Sequence, residues 1–386
     1  RKGLNKEPLP KGRIRFLKGF QKGDAFIMRK QTKIAALISA AAVLSVGGAM
    51  TAFAATGWQQ ENGTWVYYNR NEEKVTEQWQ KSGDYWYYLD DNGEMAVDSL
   101  IDDNDDTYYV DVNGVMVTNR WVAVDNENAG DENEPNQWWY YFGANGKAYK
   151  RSDSATGDVS LKTINGKKYA FDNYGRMISG FVVLQMQHTS TAFSQKDIVG
   201  KLDDENRYDT EDNYDRFVKA NSGLFRSGEL RAYYFGSSDD GSMKTGKQTV
   251  ELDGEKLTFE FEKNGSKKGA GINGMDDHKF YIGGKLVTAD SDNKVEIVVL
   301  DRDNQLITKS SISDALASYS TSATQHFKSN GELDYTEYKF NNLPTGAKAY
   351  VVNTTGAMVK SGTKKDGEDY KVKTSNYTID WIRLEE

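Results

Sequence analysis

Cysteine is missing from all 386 residues, proline occurs only 4 times and histidine only 3 times. Without thiols there can be no disulfide, no thiolate metal site, no cysteine nucleophile and no lipidated cysteine anchor. The histidines, His188, His278 and His326, are scattered, and none falls in an HExxH or similar close spacing. No Gly-x-Ser-x-Gly elbow occurs either. Aliphatic material is scarce: hydrophobic residues make up 38% and the mean hydropathy is −0.73, a poor fit to one large apolar core. The strongest apolar run, Ile34 to Val46, is well short of the roughly 20 residues a spanning helix needs.

What is abundant is aromatic. Tyr, Trp and Phe reach 12%, beside 36 Gly, so burial must lean on large rings more than on aliphatic layers. The rings recur in a pattern: YWYYLDDNGEM at 85–95 returns as YYVDVNGVM at 108–116, YYFGANGKA at 140–148 and YAFDNYGRM at 169–177. Trp58–Gln78, Trp79–Ser99 and Leu100–Arg120 are three successive units of 21 residues. Trp121 opens a fourth, stretched by the polar insert 125–136, and 165–181 forms a fifth. Such self-similarity is the signature of a repeat architecture.

Each unit reads as a β-hairpin: aromatics fill a strand, Asn92-Gly93 supplies a tight turn, and Glu94 to Val97 returns. A lone hairpin is marginal in water, so stacking lets each bury its neighbour's aromatic face. The expected fold class is all-β, a solenoid of stacked β-hairpins at 55–181. An acidic insertion or linker is expected over 182–223, irregular or with a short helix. Residues 224–386 read as degenerate repeats or a small β-domain, with two strands around Asp253-Gly254 and a helix at Ser313 to Tyr319.

The N-terminal region carries a basic MRKQTK from Met28, an apolar stretch and then Ala52-Phe53-Ala54, the order of a secretory signal peptide over 28–54. Lys22-Gly23-Asp24 is what a purine-rich ribosome-binding site yields when translated, so 1–27 is expected to be upstream read-through with Met28 as the true start. Setting 1–54 aside leaves 38 basic and 55 acidic side chains, a net charge of −17. A chain this acidic repels nucleic acid and anionic lipid, and no membrane insertion is expected once the leader is cleaved.

The stretches GWQQENGTWVYY, WQKSGDYWYYLDDNGEM and NGVMVTNRW resemble the cell-wall-binding repeats of the choline-binding family of Gram-positive surfaces, well over 57–181 and loosely over 224–386. The resemblance implies a superhelix of hairpins that holds a secreted protein to the envelope non-covalently, by choline on teichoic acid. A quaternary ammonium has no N–H to donate and is recognised by aromatic faces, at about 0.5–2 kcal/mol per contact. In the family the cage joins two Trp of one unit to a Tyr of the next, with a Met nearby. By position the resemblance implies a first cage of Trp58, Trp65 and Tyr88 with Met95, and a second of Trp79, Trp86 and Tyr109 with Met116. The third unit has Leu100 and Thr107 where the Trp should stand, so no cage is expected there. Trp121 and Trp139 supply two walls in the fourth, with Ala170 at the place of the third, beside Tyr169 and Phe171. The same rings could equally be core alone, since cross-strand aromatic pairs stabilise hairpins without any ligand.

The leading expectation is a non-enzymatic cell-wall-binding surface protein, with no cofactor and no metal. Asp102, Asn104 and Asp106 begin like a calcium loop, but Thr107 replaces the turn glycine. YYFGANGKAYK and YYFGSSDDGSMKTGK also resemble the glycan-binding repeats of secreted glucosyltransferases and clostridial toxins, which leaves a carbohydrate-binding adhesin as an alternative. An accessory subunit of a wall hydrolase is a third.

Overall fold

The computed structural model describes residues 14–16, 56–130, 134–150, 161–188, 193–199 and 208–385. The expected signal peptide lies outside them, as does nearly all of 1–27. The described part is antiparallel β structure with three helices, and it divides into two compact units, 1–151 with 171–177, and 152–170 with 178–386. No described helix is long and apolar enough to cross a membrane.

The first unit holds four hairpins: Gly57–Glu61 with Thr64–Tyr68, Gln78–Ser82 with Tyr85–Leu89, Ser99–Asp103 with Asp106–Val110, and Arg120–Asp125 with Gln137–Phe142. A short strand, Ile14–Phe16, pairs with the third. The ladder does not form where the sequence pattern places it. In the second unit of sequence the paired strands flank Gly83-Asp84, and Asn92-Gly93 makes a further turn beyond them. The reason is burial: pairing with the preceding strand sets Trp79 opposite Tyr88, whereas the returning segment makes only a bridge, Leu89 to Met95. Asn62-Gly63, with φ of 50° and 86°, is a true two-residue hairpin turn.

The second turn is built by an aspartate. Asp90 Oδ1 accepts from the N–H groups of Asn92 (2.9 Å) and Glu94 (2.7 Å), and Asp111 does the same for Asn113 and Val115. Asp172, Asp301 and Asn353 repeat the device. Short Asx side chains suit this because they mimic a backbone turn.

What joins one hairpin to the next is a recurring backbone bond. Met95 N donates to Trp65 O (2.7 Å), Met116 N to Trp86 O (2.8 Å), Ala148 N to Thr107 O (2.7 Å) and Met177 N to Trp139 O (2.7 Å). The bridge partner of each, Leu89, Val110, Phe142 or Phe171, is almost fully buried. The turn glycine then lies on the methionine of the previous repeat: a Cβ on Gly114 would meet Met95 Cε at 2.9 Å, and one on Gly146 would meet Met116 Sδ at 2.6 Å. Both glycines have positive φ, 76° and 79°.

The second unit opens with the hairpin Lys162–Ile164 with Lys167–Tyr169. Phe181–His188 is a strand between Phe193–Val199 and Leu230–Tyr234, where the sequence reading expects an insertion from 182 onward. Val182, Val183 and Leu184 are buried there, and an apolar run inside an acidic segment explains the strand. Helices follow at Glu211–Ala220, capped by Thr210, and Ser222–Ser227. Gly246–Leu252 and Glu255–Phe261 pair around Asp253-Gly254 as expected, within a five-stranded sheet. Val295–Leu300 lies between Leu306–Ser310 and Lys348–Asn353. A helix at Ile312–Tyr319 packs on that sheet, matching the expected helix to one residue. The last five-stranded sheet runs Ser320–Phe327, Leu333–Phe340, Thr378–Glu385, Tyr370–Ser375, Gly362–Lys365. The repeat bond persists here too, from Met243 N to Lys168 O (2.8 Å) and from Met358 N to His278 O (3.2 Å).

Candidate aromatic binding site

Strand alternation puts both tryptophans of a hairpin on one face. Trp58 stands opposite Tyr67 and Gln60 opposite Trp65, so Trp58, Trp65 and Tyr67 share a face. The second hairpin repeats this with Trp79, Trp86 and Tyr88, and the fourth with Trp121, Trp139 and Tyr141.

The facing surface of the next hairpin supplies the remaining ring. Trp58 meets Tyr67 edge-on at 5.4 Å and Tyr87 at 5.3 Å. Trp79 meets Tyr88 at 5.1 Å and Tyr108 at 5.1 Å. The tyrosine that crosses the junction is thus one residue before the one taken from position, Tyr87 in place of Tyr88 and Tyr108 in place of Tyr109. A shift of one residue along a strand moves a side chain to the opposite face. Tyr88 is buried with Ala96, Ile101 and Val110, and Tyr109 with Leu100, Val122 and Phe142. Met95 and Met116 adjoin Trp65 and Trp86 through their backbone bonds, while their thioethers lie against Gly114 and Gly146.

The junctions are not equivalent. At the second, Trp86 is 40% exposed and carries Lys81 Nζ 5.9 Å from its ring centroid. At the third, Leu100 sits opposite Tyr109 and both are packed into the core, while the Tyr109 hydroxyl donates to Asp98. At the fourth, Phe171 stacks on Trp121 at 5.8 Å, which places a protein ring against the indole face. On the reverse side of that hairpin, Arg176 covers Trp138 at 4.3 Å while its Nε bonds Asp172 at 2.6 Å. Tyr169 and Ala170 are buried residues of the second unit.

The chemistry at the two N-terminal junctions is that of neutral aromatic rings in an acidic surround. Burial pushes the Tyr87 phenol up, helped by Tyr85 and Asp111. It also raises Tyr108, with Asp106 and Asp103 adding to burial and Lys147 opposing. Tyr88 is pushed up to about 12, by burial first and then by Asp103, Glu77, Asp90 and Asp91. These rings stay uncharged near neutral pH, and the carboxylates around them favour a cationic ligand. The indole N–H groups of Trp58 and Trp79 are buried and find no acceptor among the described residues. Among the described residues no group of three or more His, Cys, Asp or Glu is placed to hold a metal ion. Of the residues that begin like a calcium loop in sequence, Asp102 accepts from Thr107 Oγ1 and Asp106 is paired with Lys147 at 2.5 Å.

Residues 75–121 match the family model of the choline-binding repeat, so the chain carries repeats of that kind. Among solved structures, the choline-binding domain of Spr1274 from Streptococcus pneumoniae is 29% identical, over 25% of this chain and 95% of that one, with a TM-score of 0.19. The autolysin LytC of the same organism is 16% identical, over 79% of this chain and 52% of that one, with a TM-score of 0.24. The choline-binding domain of CbpL, also from Streptococcus pneumoniae, is 18% identical, over 61% of this chain and all of that one, with a TM-score of 0.18. No curated protein sequence matches the chain.

Proposed function

We propose that the choline-binding repeats matched at 75–121 and the hairpins beside them attach a secreted, non-enzymatic surface protein to the cell wall. In this reading the hairpins continue one another as a solenoid, and the ligand is the choline carried by wall teichoic acid. The observation that carries it is the same at two junctions: an indole from one hairpin, flanked by a tyrosine of its own hairpin and a tyrosine of the next. Trp65 and Trp86 stand on the same faces and complete the two hollows. A trimethylammonium group suits such walls because it is attracted by ring faces and asks for no hydrogen-bond acceptor. Trp58, Trp65 and Tyr87 form the first proposed cage and Trp79, Trp86 and Tyr108 the second, with Met95 and Met116 as their backbone supports. Trp121 and Trp139 are secondary candidates, because Phe171 already stacks on Trp121.

The deciding experiment is a tryptophan-fluorescence titration with choline, run beside one with a soluble glucan. A saturable choline response, lost in Trp58→Ala combined with Trp79→Ala, is expected. A response to glucan alone would replace this reading with the carbohydrate-binding one.

A further inference from the structure

The outward face of the last five-stranded sheet carries a row of planar and cationic groups that the aromatic hollows do not use. Pairing sets His326 opposite Tyr335, Glu337 opposite Arg383, and Lys373 opposite Trp381. The alternate residues, among them Val372 and Ile382, turn inward to the core. Four planar groups consequently line up across three strands. His326 stacks on Tyr335 at 4.4 Å and 19°, and the Arg383 guanidinium lies 4.2 Å from the Tyr335 ring and 4.1 Å from the Trp381 ring. Glu337 fixes the arginine through a 2.9 Å bond to its Nε.

Two features of this face point to a ligand class. The first is charge. Lys339 and Lys373 are exposed on the same side of the sheet as Arg383, and neither has a carboxylate partner among the described residues. Cations outnumber carboxylates here, on a chain whose formal charge is −8. Concentrating unpaired cations on one face of an otherwise acidic molecule creates a local attraction for polyanions. The second is the ring geometry. Nucleic-acid bases bind such surfaces by stacking on open aromatic faces. Here the inner faces of Tyr335, Arg383 and Trp381 are spent on one another, so the row presents ring edges and N–H or O–H donors. Donor edges flanked by lysines suit the hydroxyls and carboxylates of an acidic sugar chain, whereas base stacking finds little to hold.

We propose that this face binds an anionic polysaccharide, with Lys339 and Lys373 on its carboxylates and the Tyr335–Trp381 row along its sugar edges. The inference is independent of the choline hollows, and the test keeps the two apart. Full-length protein in excess choline is passed over immobilised polygalacturonate and hyaluronate, with neutral dextran and oligo(dT) as comparisons. Salt-sensitive retention on an acidic polysaccharide is expected, reduced at least tenfold in Lys339→Glu/Lys373→Glu, with no retention on dextran or oligo(dT). Both lysines are exposed, so the variant should keep the circular dichroism spectrum and the choline response; Lys339→Gln/Lys373→Gln provides a milder second variant with an intermediate loss. Absence of retention on both acidic polysaccharides, equal retention by folded variants, or preference for oligo(dT) would overturn the proposal.

Discussion

Trp79 stands edge-on between Tyr88 of its own hairpin and Tyr108 of the next, with both ring centroids 5.1 Å away. One indole therefore belongs to two repeats at once. Packing within a repeat and association between repeats are carried by the same side chain, which is why the tryptophan recurs at a 21-residue period.

Exchanging the two tyrosines separates these roles. Tyr87→Ala removes the ring that crosses the first junction and should weaken the choline response roughly tenfold. Tyr88→Phe keeps the buried ring beside Trp79 and removes only its hydroxyl, so it should leave the response within about twofold. A titration in which Tyr88→Phe is the more damaging of the pair would contradict the register assigned to the hollows.

Lys81 already places an ammonium 5.9 Å from the Trp86 ring, so it competes with a ligand cation for that wall. Lys81→Gln removes a like charge at an exposed site, where such effects are about 0.5–1 kcal/mol. Choline affinity at the second junction should rise about two- to fivefold, measured by calorimetry in a Trp58→Ala background that silences the first.

Gly114 has a φ of 76°, and a Cβ there would meet Met95 Cε at 2.9 Å and Ala96 O at 3.1 Å. Gly114→Ala should therefore destabilise the first unit by about 1–2 kcal/mol in urea unfolding, from left-handed backbone strain plus the clash. Adding Met95→Ala relieves only the clash with the thioether. The pair should be less than additive, and strict additivity would argue against the contact.

Asp90 is 5% exposed and accepts two backbone N–H groups through one oxygen. Asp90→Ala strands those donors and should cost about 1–3 kcal/mol, while Asp90→Asn keeps an acceptor and should cost less. Equal losses in thermal melts of the two variants would show that the side-chain bonds do not hold the turn.

Alkaline pH should dissolve the repeat packing. The phenols of Tyr87, Tyr88, Tyr108 and Tyr109 all titrate above their ordinary value when folded, burial being the first cause. A raised folded pKa means that the folded state holds its proton more tightly than the unfolded chain. Their contribution is thus complete below pH 10 and is lost as pH climbs, for Tyr88 through about 12. The melting temperature should be flat from pH 7 to 9 and fall steadily from 10 to 12, with a shallower fall in Tyr88→Phe.

Much of this was legible in the residues. Period, strand content, the turn glycines and the paired tryptophans could all be read from Trp58 to Phe181, because a repeat writes the same local physics several times. The helix at Ile312–Tyr319 and the hairpin around Asp253-Gly254 were legible for the same local reasons. The hairpin register was not. YYLDDNG offers two turns to the aromatic strand, and only the partner strand decides which one closes the ladder. The strand Phe181–His188 was hidden by its acidic surroundings, since its apolar run gains only when Leu230–Tyr234 comes from far along the chain to cover it.

The sequence by itself determined that this chain is built from aromatic hairpin repeats, that it has no thiol chemistry, and that Trp and Tyr carry its burial. Those are matters of composition and short-range pattern. Only the tertiary structure decided that Tyr87 and Tyr108 cross the junctions, that methionine seats the next glycine turn, and that Arg383 lies between Tyr335 and Trp381. Each of these depends on which face of a strand meets its neighbour, and a strand's two faces differ by a single residue of register that local sequence leaves unfixed.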